Sequence, residues 1–258
     1  MIRVALVSYF NTRPFTDGLQ HWFGEDELSL SEVPPSECAA QLKAGLCDMA
    51  LMPVGALSDF DGISIMKDHC LGADGKVDSV FLFSHVPVRE ATSLVLDPHS
   101  RSSNGLAAVL MREYWEREIP VIFPTGERFS QIEGSVCGVA IGDKAFALKD
   151  QYPFVYDLAE IWKRYSGLPF VFAVWAYRPE ALNEGMMQRV RMALEWGRTH
   201  REKSARKWAE HYGYTTDDAV NYITNSISYE FDSAKHEAMK KYFHLLLNVA
   251  ETQPLVGA

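Results

Sequence analysis

The sequence predicts an α/β protein of two lobes, each with a mixed, mostly parallel sheet, helices on both faces of the sheet, and a ligand cleft between the lobes. Short apolar strands alternate with amphipathic helices, and this alternation is repeated in the middle of the chain. The 258 residues suffice for two domains, which most often have about 100–150 residues each.

The first lobe begins with a strand, a loop and a helix. Residues 2–8 are apolar and β-branched, and apolar residues recur at helical spacing over 15–22. A strand over 28–33, a helix that stops at Gly45 and a buried strand over 48–53 follow. Two strands joined through a helix form a right-handed crossover, so this sheet is at least partly parallel.

The middle of the chain repeats this order of elements. An apolar strand ends at residue 84, and a strand over 93–96 precedes a polar loop and a helix over 106–114. Two more apolar strands lie near 121–123 and 137–141. This repetition predicts a second α/β lobe.

Two chain crossings give the expected boundaries. The first lobe comprises residues 1–84 and 177–258, with a helical C-terminal tail, and the second lobe comprises 85–176. The run LPFVFAVWAY over 168–177 is too apolar for a surface loop and predicts the strand that returns the chain. Apolar residues recur at helical spacing after Pro179, so we expect only helices there.

Charge and cysteine content restrict the classes of partner and cofactor. The net charge of -9 disfavours nucleic acid and anionic membrane surfaces. The four cysteines and eight histidines show no spacing typical of a metal or redox site, so no metal or cofactor is predicted. The N-terminus is typical of a strand and not of a signal peptide, and no apolar run reaches the roughly 20 residues of a membrane span. We therefore expect a cytoplasmic protein, and a homodimer is compatible with the sequence.

The first candidate site is the polar loop over 8–14, between a strand and a helix. Ser8, Tyr9, Asn11 and the N–H groups of the helix point to one place, where a carboxylate would bind. The alternative is that Ser8 and Asn11 satisfy local backbone groups and that Thr12 caps the helix.

The second candidate site is the loop DPHSRSSN over 97–104, at the start of a helix. Ser100, Ser102 and Ser103 are more hydroxyls than one helix cap needs, so the loop is either an anion site or a plain capped turn. Arg101 either contacts the anion or ties the loop to its lobe.

Further candidates are weaker. Ser79 and Ser84 flank an apolar strand where the chain is expected to leave the first lobe. Asp143 follows another strand, either at the rim of the cleft or as a helix cap. Phe172 and Trp175 form either an aromatic wall against a flat ligand or part of the core.

Several segments together resemble one known family: VSYFNTRPF at 7–15, LKAGLCDMALMPV at 42–54, VDSVFLFS at 77–84, LDPHSRSSNGL at 96–106, GVAIGDKA at 138–145 and DLAEIWKRYSGLPFVFAVWAYR at 157–178. They are similar to the menaquinone-biosynthesis chorismate dehydratases of the futalosine pathway, which have a type II periplasmic-binding-protein-like fold. A sister family that makes 1,4-dihydroxy-6-naphthoate usually has a first loop of the type S-P-x-P-N-D. The loop Ser8-Tyr9-Phe10-Asn11 favours the dehydratase.

The resemblance implies an enzyme, a hydro-lyase that converts the dianion chorismate to 3-[(1-carboxyvinyl)oxy]benzoate. A proton leaves C3 and hydroxide leaves C4, and the ring becomes aromatic. The ring carboxylate would lie near the serines of the second loop and the ether side near Ser8 and Asn11, or the reverse.

The shared loops offer no obvious protein base for the C3 proton. The hypothesis is that Asn11 orients the substrate so that its own enolpyruvyl carboxylate, or a water, accepts this proton, and Asp143 is the alternative base. A binding or sensor module for anions, without chemistry, would need the same loops and is the rival from another functional class.

Overall fold

The structure is a computed structural model, and it describes residues 1–124 and 131–251. Within these ranges the strands are β1 (Ile2–Val7), β2 (Leu28–Val33), β3 (Met49–Pro53), β4 (Ser64–Ala73), β5 (Val80–Ser84), β6 (Ser93–Val95), β7 (Val121–Ile122), β8 (Val136–Ile141), β9 (Phe154–Asp157), β10 (Phe170–Tyr177) and β11 (Ser228–Glu230). The helices are α1 (Arg13–Trp22), α2 (Pro35–Ala44), α3 (Arg101–Glu113), α4 (Gly142–Ala147), α5 (Leu158–Ser166), α6 (Glu184–Thr199), α7 (Arg201–Trp208), α8 (Thr216–Asn221) and α9 (Ser233–Ala250). A π-helical turn, Tyr222–Ser226, follows α8 directly. None of the described helices is both long enough and apolar enough to cross a membrane.

The chain forms two compact units. Unit 1 consists of Met1–Gly72 and Val171–Asp232, and unit 2 consists of the described parts of Ala73–Phe170 and Ser233–Ala258. The two-unit division was expected, but the expected lobes, 1–84 plus 177–258 and 85–176, have different boundaries from these units.

The boundaries differ because two elements pack in unit 2 and not in unit 1. Strand β5 pairs antiparallel with β8 and β9, so it is a central strand of the second sheet. Helix α9 packs on α3, where the Tyr242 hydroxyl donates to the Ser102 carbonyl oxygen at 3.1 Å and Gly105 leaves room for the Tyr242 ring. The C-terminal helix therefore belongs to the second unit and is not a tail of the first.

Each unit contains one mixed sheet. The first sheet has the order β11-β4-β10-β3-β1-β2 and the second β7-β6-β8-β5-β9. Strand β1 is parallel to β2 and β3, and β6 is parallel to β7 and β8, as the strand–helix–strand pattern predicts. Antiparallel partners complete both sheets: β10 beside β3, β11 beside β4, and β5 beside β8 and β9. The sheets are therefore mixed, with antiparallel pairs as well as the parallel pairs that were expected to predominate. Strand β11 also shows that the chain after Pro179 is not entirely helical.

Helices α1 and α6 of unit 1 approach each other at two glycines. A Cβ atom built at Gly18 would lie against the Ala193 carbonyl oxygen, and one built at Gly197 would lie against the Pro14 carbonyl oxygen. The two backbones are therefore in direct contact, which only glycine allows. This contact seats α6, and the chain that follows it, on the N-terminal part of unit 1.

A buried carboxylate organises the entry to the second sheet. Asp157 Oδ2 accepts hydrogen bonds from the N–H groups of Val77 (3.0 Å) and Asp78 (2.8 Å), and Oδ1 accepts from Ala159 and Glu160 (both 3.1 Å). Burial raises the pKa of Asp157 to about 6, although these N–H donors favour the ionised form. One side chain thus caps α5 and holds the segment before β5.

Gly197→Ala should lower the free energy of unfolding by about 2 kcal/mol or more, because the added methyl group has only backbone to displace. Gly185→Ala is the matched control in the same helix, since a Cβ there meets only the Asn183 side-chain oxygen, 3.5 Å away. Urea unfolding of both variants measures the difference. Equal stability of the two variants would contradict the close helix contact.

Asp157→Ala should lower the free energy of unfolding by about 3 kcal/mol, because it removes a helix cap and leaves the buried Val77 N–H without its acceptor. Asn183→Ala removes a single exposed cap bond to the Met186 N–H and should cost about 1 kcal/mol. The comparison is made by urea unfolding at neutral pH. A smaller loss for Asp157→Ala than for Asn183→Ala would refute the organising role of this carboxylate.

Candidate functional site

The loop after β1 is held by its own backbone and by Thr12. The Thr12 hydroxyl lies 2.5 Å from the Val7 carbonyl oxygen and 2.8 Å from the Tyr9 carbonyl oxygen, and the Ser8 N–H donates to Val33 O at 3.1 Å. Thr12 makes no side-chain cap on α1, so that part of the alternative prediction is wrong. The loop geometry is thus fixed without the Asn11 side chain.

Asn11 is the central polar residue of this loop. Its Nδ2 donates to the Tyr222 hydroxyl at 3.1 Å, and its backbone oxygen accepts from the Tyr229 hydroxyl at 2.8 Å. Its Oδ1 is buried and has no hydrogen-bond partner among the described residues. Asn11 does not satisfy local backbone groups with its side chain, and a buried acceptor without a donor costs about 1–3 kcal/mol. The geometry therefore favours a ligand that supplies a donor to Oδ1.

An aromatic cluster surrounds the loop. The ring of Phe10 lies 5.4 Å from that of Tyr212, 4.8 Å from Tyr214 and 6.1 Å from Tyr222, measured between centroids. The Tyr212 hydroxyl also donates to the Ser8 carbonyl oxygen at 3.2 Å. The cluster packs the loop on its apolar side and bonds it through hydroxyl groups.

Arg13 supplies a buried positive charge beside the loop. Its guanidinium forms an ion pair with Glu32 at 2.8 Å and lies over the rings of Trp208 and Tyr212, 5.3 and 5.5 Å from their centroids. Its Nε and Nη2 atoms are buried without a hydrogen-bond partner among the described residues. The Glu32 carboxylate balances the charge of Arg13, but two N–H groups of Arg13 are left for another acceptor.

The serine loop of unit 2, residues 97–104, forms the capped start of α3 and contains more hydroxyl groups than the cap uses. Ser100 accepts from the Ser103 N–H at 3.2 Å and donates to Ser103 Oγ at 2.7 Å. Asn104 closes the loop by exchanging two hydrogen bonds with the Asp97 backbone, at 2.7 and 2.8 Å. Ser100 is therefore the cap, while Ser102 and Ser103 lie buried in the first turn of α3.

Other predicted site residues lie at the same end of the second sheet as the serine loop. Strands β6 and β8 are parallel, so the serine loop and Asp143 both follow the carboxyl ends of their strands. The Gly142 N–H donates to the Ser79 carbonyl oxygen at 2.9 Å, which places Ser79 there as well. Ser84 lies at the opposite end of β5 and accepts from the Val86 N–H at 3.2 Å. The structure thus separates the two serines that flank this strand.

The remaining candidates have diverse surroundings. Trp175 is fully buried, and its ring lies 5.5 Å from that of Phe15, which favours the packed-core alternative. Phe172 and Tyr9 are half-buried in unit 1, and Arg101 is half-buried in the first turn of α3. All four cysteines are buried and free, as expected. In residues 1–124 and 131–251, no three His, Cys, Asp or Glu side chains are grouped to hold a metal ion.

A depression of about 350 Å³ between α1, α6 and α7 is a weaker candidate. The Asp17 carboxylate on its wall is already bonded to Lys207 at 2.7 Å, Ser204 at 2.6 Å and Trp208 at 3.2 Å. The Trp196 ring is stacked between His21 and His200. The Asp17 carboxylate and the Trp196 ring thus already contact other side chains of the protein.

Sequence reasoning did not identify the partners of Asn11. Tyr222 and Tyr229 stand about 210 residues after it in the chain, in a region interpreted only as helical. The one available signal was the accumulation of tyrosines between residues 212 and 229, which a purely structural helix does not require. Arg13 was noted in the loop motif but was not assigned to the site.

Comparisons with solved structures show the fold. A structure from Archaeoglobus fulgidus superposes with a TM-score of 0.74 at 15% identity, covering 99% of this chain and 98% of that one. The periplasmic aliphatic sulphonate binding protein of Escherichia coli superposes with a TM-score of 0.65 at 13% identity, covering 97% and 86%. The fold expectation of a periplasmic-binding-protein-like architecture is confirmed.

Sequence comparisons show the family. A chorismate dehydratase of Thermus thermophilus is 27% identical over 238 residues, which cover 81% of this chain and 83% of that protein. The family model described as menaquinone biosynthesis matches residues 2–247, nearly the whole chain. The chain therefore belongs to the menaquinone biosynthesis family.

Proposed function

We propose that this protein removes water from chorismate to give 3-[(1-carboxyvinyl)oxy]benzoate. Membership of the menaquinone biosynthesis family and the similarity to a chorismate dehydratase support this reaction. The C3–H and C4–O bonds break, a double bond forms between C3 and C4, and the proton and hydroxide leave as water. Aromatisation of the ring provides the driving force.

The observation that carries the proposal is the Asn11 amide, buried in a preformed loop with one acceptor atom unused. Chorismate carries a hydroxyl group at C4, the carbon from which water is lost, and this group can donate to Oδ1. A neutral amide is not a base at neutral pH. Asn11 therefore orients the substrate, and the enolpyruvyl carboxylate of the substrate, or a water, accepts the C3 proton.

Hydrogen-bond donors at both loops fit an anionic substrate. Near the first loop, Nε and Nη2 of Arg13 have no partner among the described residues, and the start of α3 is a helix N-terminus of the kind that binds carboxylates. Positively polarised groups also stabilise negative charge that spreads into the ring as the proton leaves. Which loop holds which carboxylate stays a prediction, as do the cytoplasmic location and the homodimer.

Asn11→Ala should lower the turnover of chorismate by about a hundredfold or more, because it removes the group that orients the reacting centre. Chromatography of chorismate and the benzoate product after incubation with purified protein measures this. Asn225→Ala is the control, since Asn225 is exposed and bonds only to the Asn221 side chain among the described residues. It should retain wild-type turnover.

Two results would contradict the proposal. If chorismate persists with the wild-type protein and only raises the melting temperature, the protein is a binding module without catalysis. If chorismate neither reacts nor binds but a cyclic futalosine is converted to 1,4-dihydroxy-6-naphthoate, the protein has the activity of the sister family.

A further inference from the structure

The Asn11 amide and the Tyr222 hydroxyl form a buried pair. Both residues are less than a tenth exposed, and Nδ2 of Asn11 lies 3.1 Å from the Tyr222 hydroxyl. A side-chain amide has one acceptor end and one donor end, and rotation by 180° exchanges them. The Tyr222 hydroxyl can bond to either end, so this bond holds one end of the amide in place and leaves the other end for a ligand.

The remaining contacts of Asn11 do not restrain its side-chain amide. The Tyr229 hydroxyl bonds to the backbone oxygen of Asn11, at 2.8 Å, and so fixes the main chain but not the amide. Oδ1 has no partner among the described residues. In these parts of the chain, the bond to Tyr222 is the one that restrains the side-chain amide.

The Tyr222 ring has packing contacts that do not involve its hydroxyl. The ring stacks on that of Tyr214, with centroids 5.9 Å apart and planes 5° apart, and lies 6.1 Å from that of Phe10. Tyr222 also begins the π-helical turn Tyr222–Ser226, a local geometry found frequently at functional sites. Removal of the hydroxyl alone should therefore leave the ring in place.

We propose that Tyr222 is a positioning residue, whose hydroxyl bonds to the Asn11 amide and thereby holds this amide in place to bind a substrate hydroxyl group. In the dehydration proposed above, on which this assignment of the substrate group rests, that group is the C4 hydroxyl. A hydrogen bond between this group and the amide restrains the C4 hydroxyl beside Asn11. Without the Tyr222 hydroxyl, Nδ2 is left buried without this bond and the amide is held less firmly in position.

The test is Tyr222→Phe, compared with Tyr156→Phe in unit 2. The Tyr156 hydroxyl likewise accepts an N–H hydrogen bond, from the Val88 backbone at 3.1 Å, so both variants remove a hydroxyl that accepts from an N–H group. Tyr222→Phe should lower kcat about tenfold with KM changed less than about threefold, since orientation and not binding is lost. Tyr156→Phe should keep wild-type kcat. In an Asn11→Ala background, Tyr222→Phe should lower kcat by less than about twofold, because the group it orients is gone.

A second measurement does not depend on catalysis. The side-chain amide protons of Asn11, identified by NMR through their loss in Asn11→Ala, should shift and exchange with solvent about tenfold faster in Tyr222→Phe than in the wild type or Tyr156→Phe. Unchanged amide signals in Tyr222→Phe overturn the inference whether or not the protein is an enzyme. A wild-type protein inactive on chorismate, with the expected NMR change, would overturn the proposed reaction and the substrate assignment but support the amide orientation. Equal falls in kcat for both tyrosine variants would also overturn the positioning role.

Discussion

The direct backbone contact between α1 and α6 is the constraint on which the first unit depends. Gly18 and Gly197 allow the two helices to meet at main-chain distance, and any larger residue at either position would push them apart. Helix α1 begins in the polar loop, and α6 leads through α7 to the tyrosine-rich segment. The contact therefore joins the two parts of the chain that supply the candidate site.

The candidate site of unit 1 combines polar groups that are satisfied with a few that are not. Thr12 and the backbone hold the loop. Tyr222 bonds to the side chain of Asn11, and Tyr229 bonds to its backbone oxygen. Oδ1 of Asn11 and two nitrogens of Arg13 are buried without described partners. Folded proteins satisfy most buried polar groups, so such exceptions indicate function more strongly than does the polarity of the loop.

The differences between the predicted lobes and the two compact units have a common physical origin. Strand β5 looks like a continuation of the first lobe because its sequence is only an apolar strand, and nothing local tells which sheet it will join. Helix α9 has an apolar stripe that could pack on any complementary surface. In the structure it packs on α3, where Gly105 leaves room for Tyr242 and Leu246. The antiparallel partners β10 and β11 likewise depend on where the chain returns, which local periodicity does not encode.

The sequence by itself determined the alternation of strands and helices, the parallel part of each sheet and the two polar loops, because apolar spacing and turn chemistry are local properties. It also pointed to Asn11 and the three serines through the motifs that resemble a known family. Only the tertiary structure decided that Tyr222 and Tyr229 reach Asn11, that Arg13 is buried between two aromatic rings, and that Ser84 lies away from Ser79. These relations join residues far apart in the chain or opposite ends of one strand, and they depend on how helices pack and how strands pair.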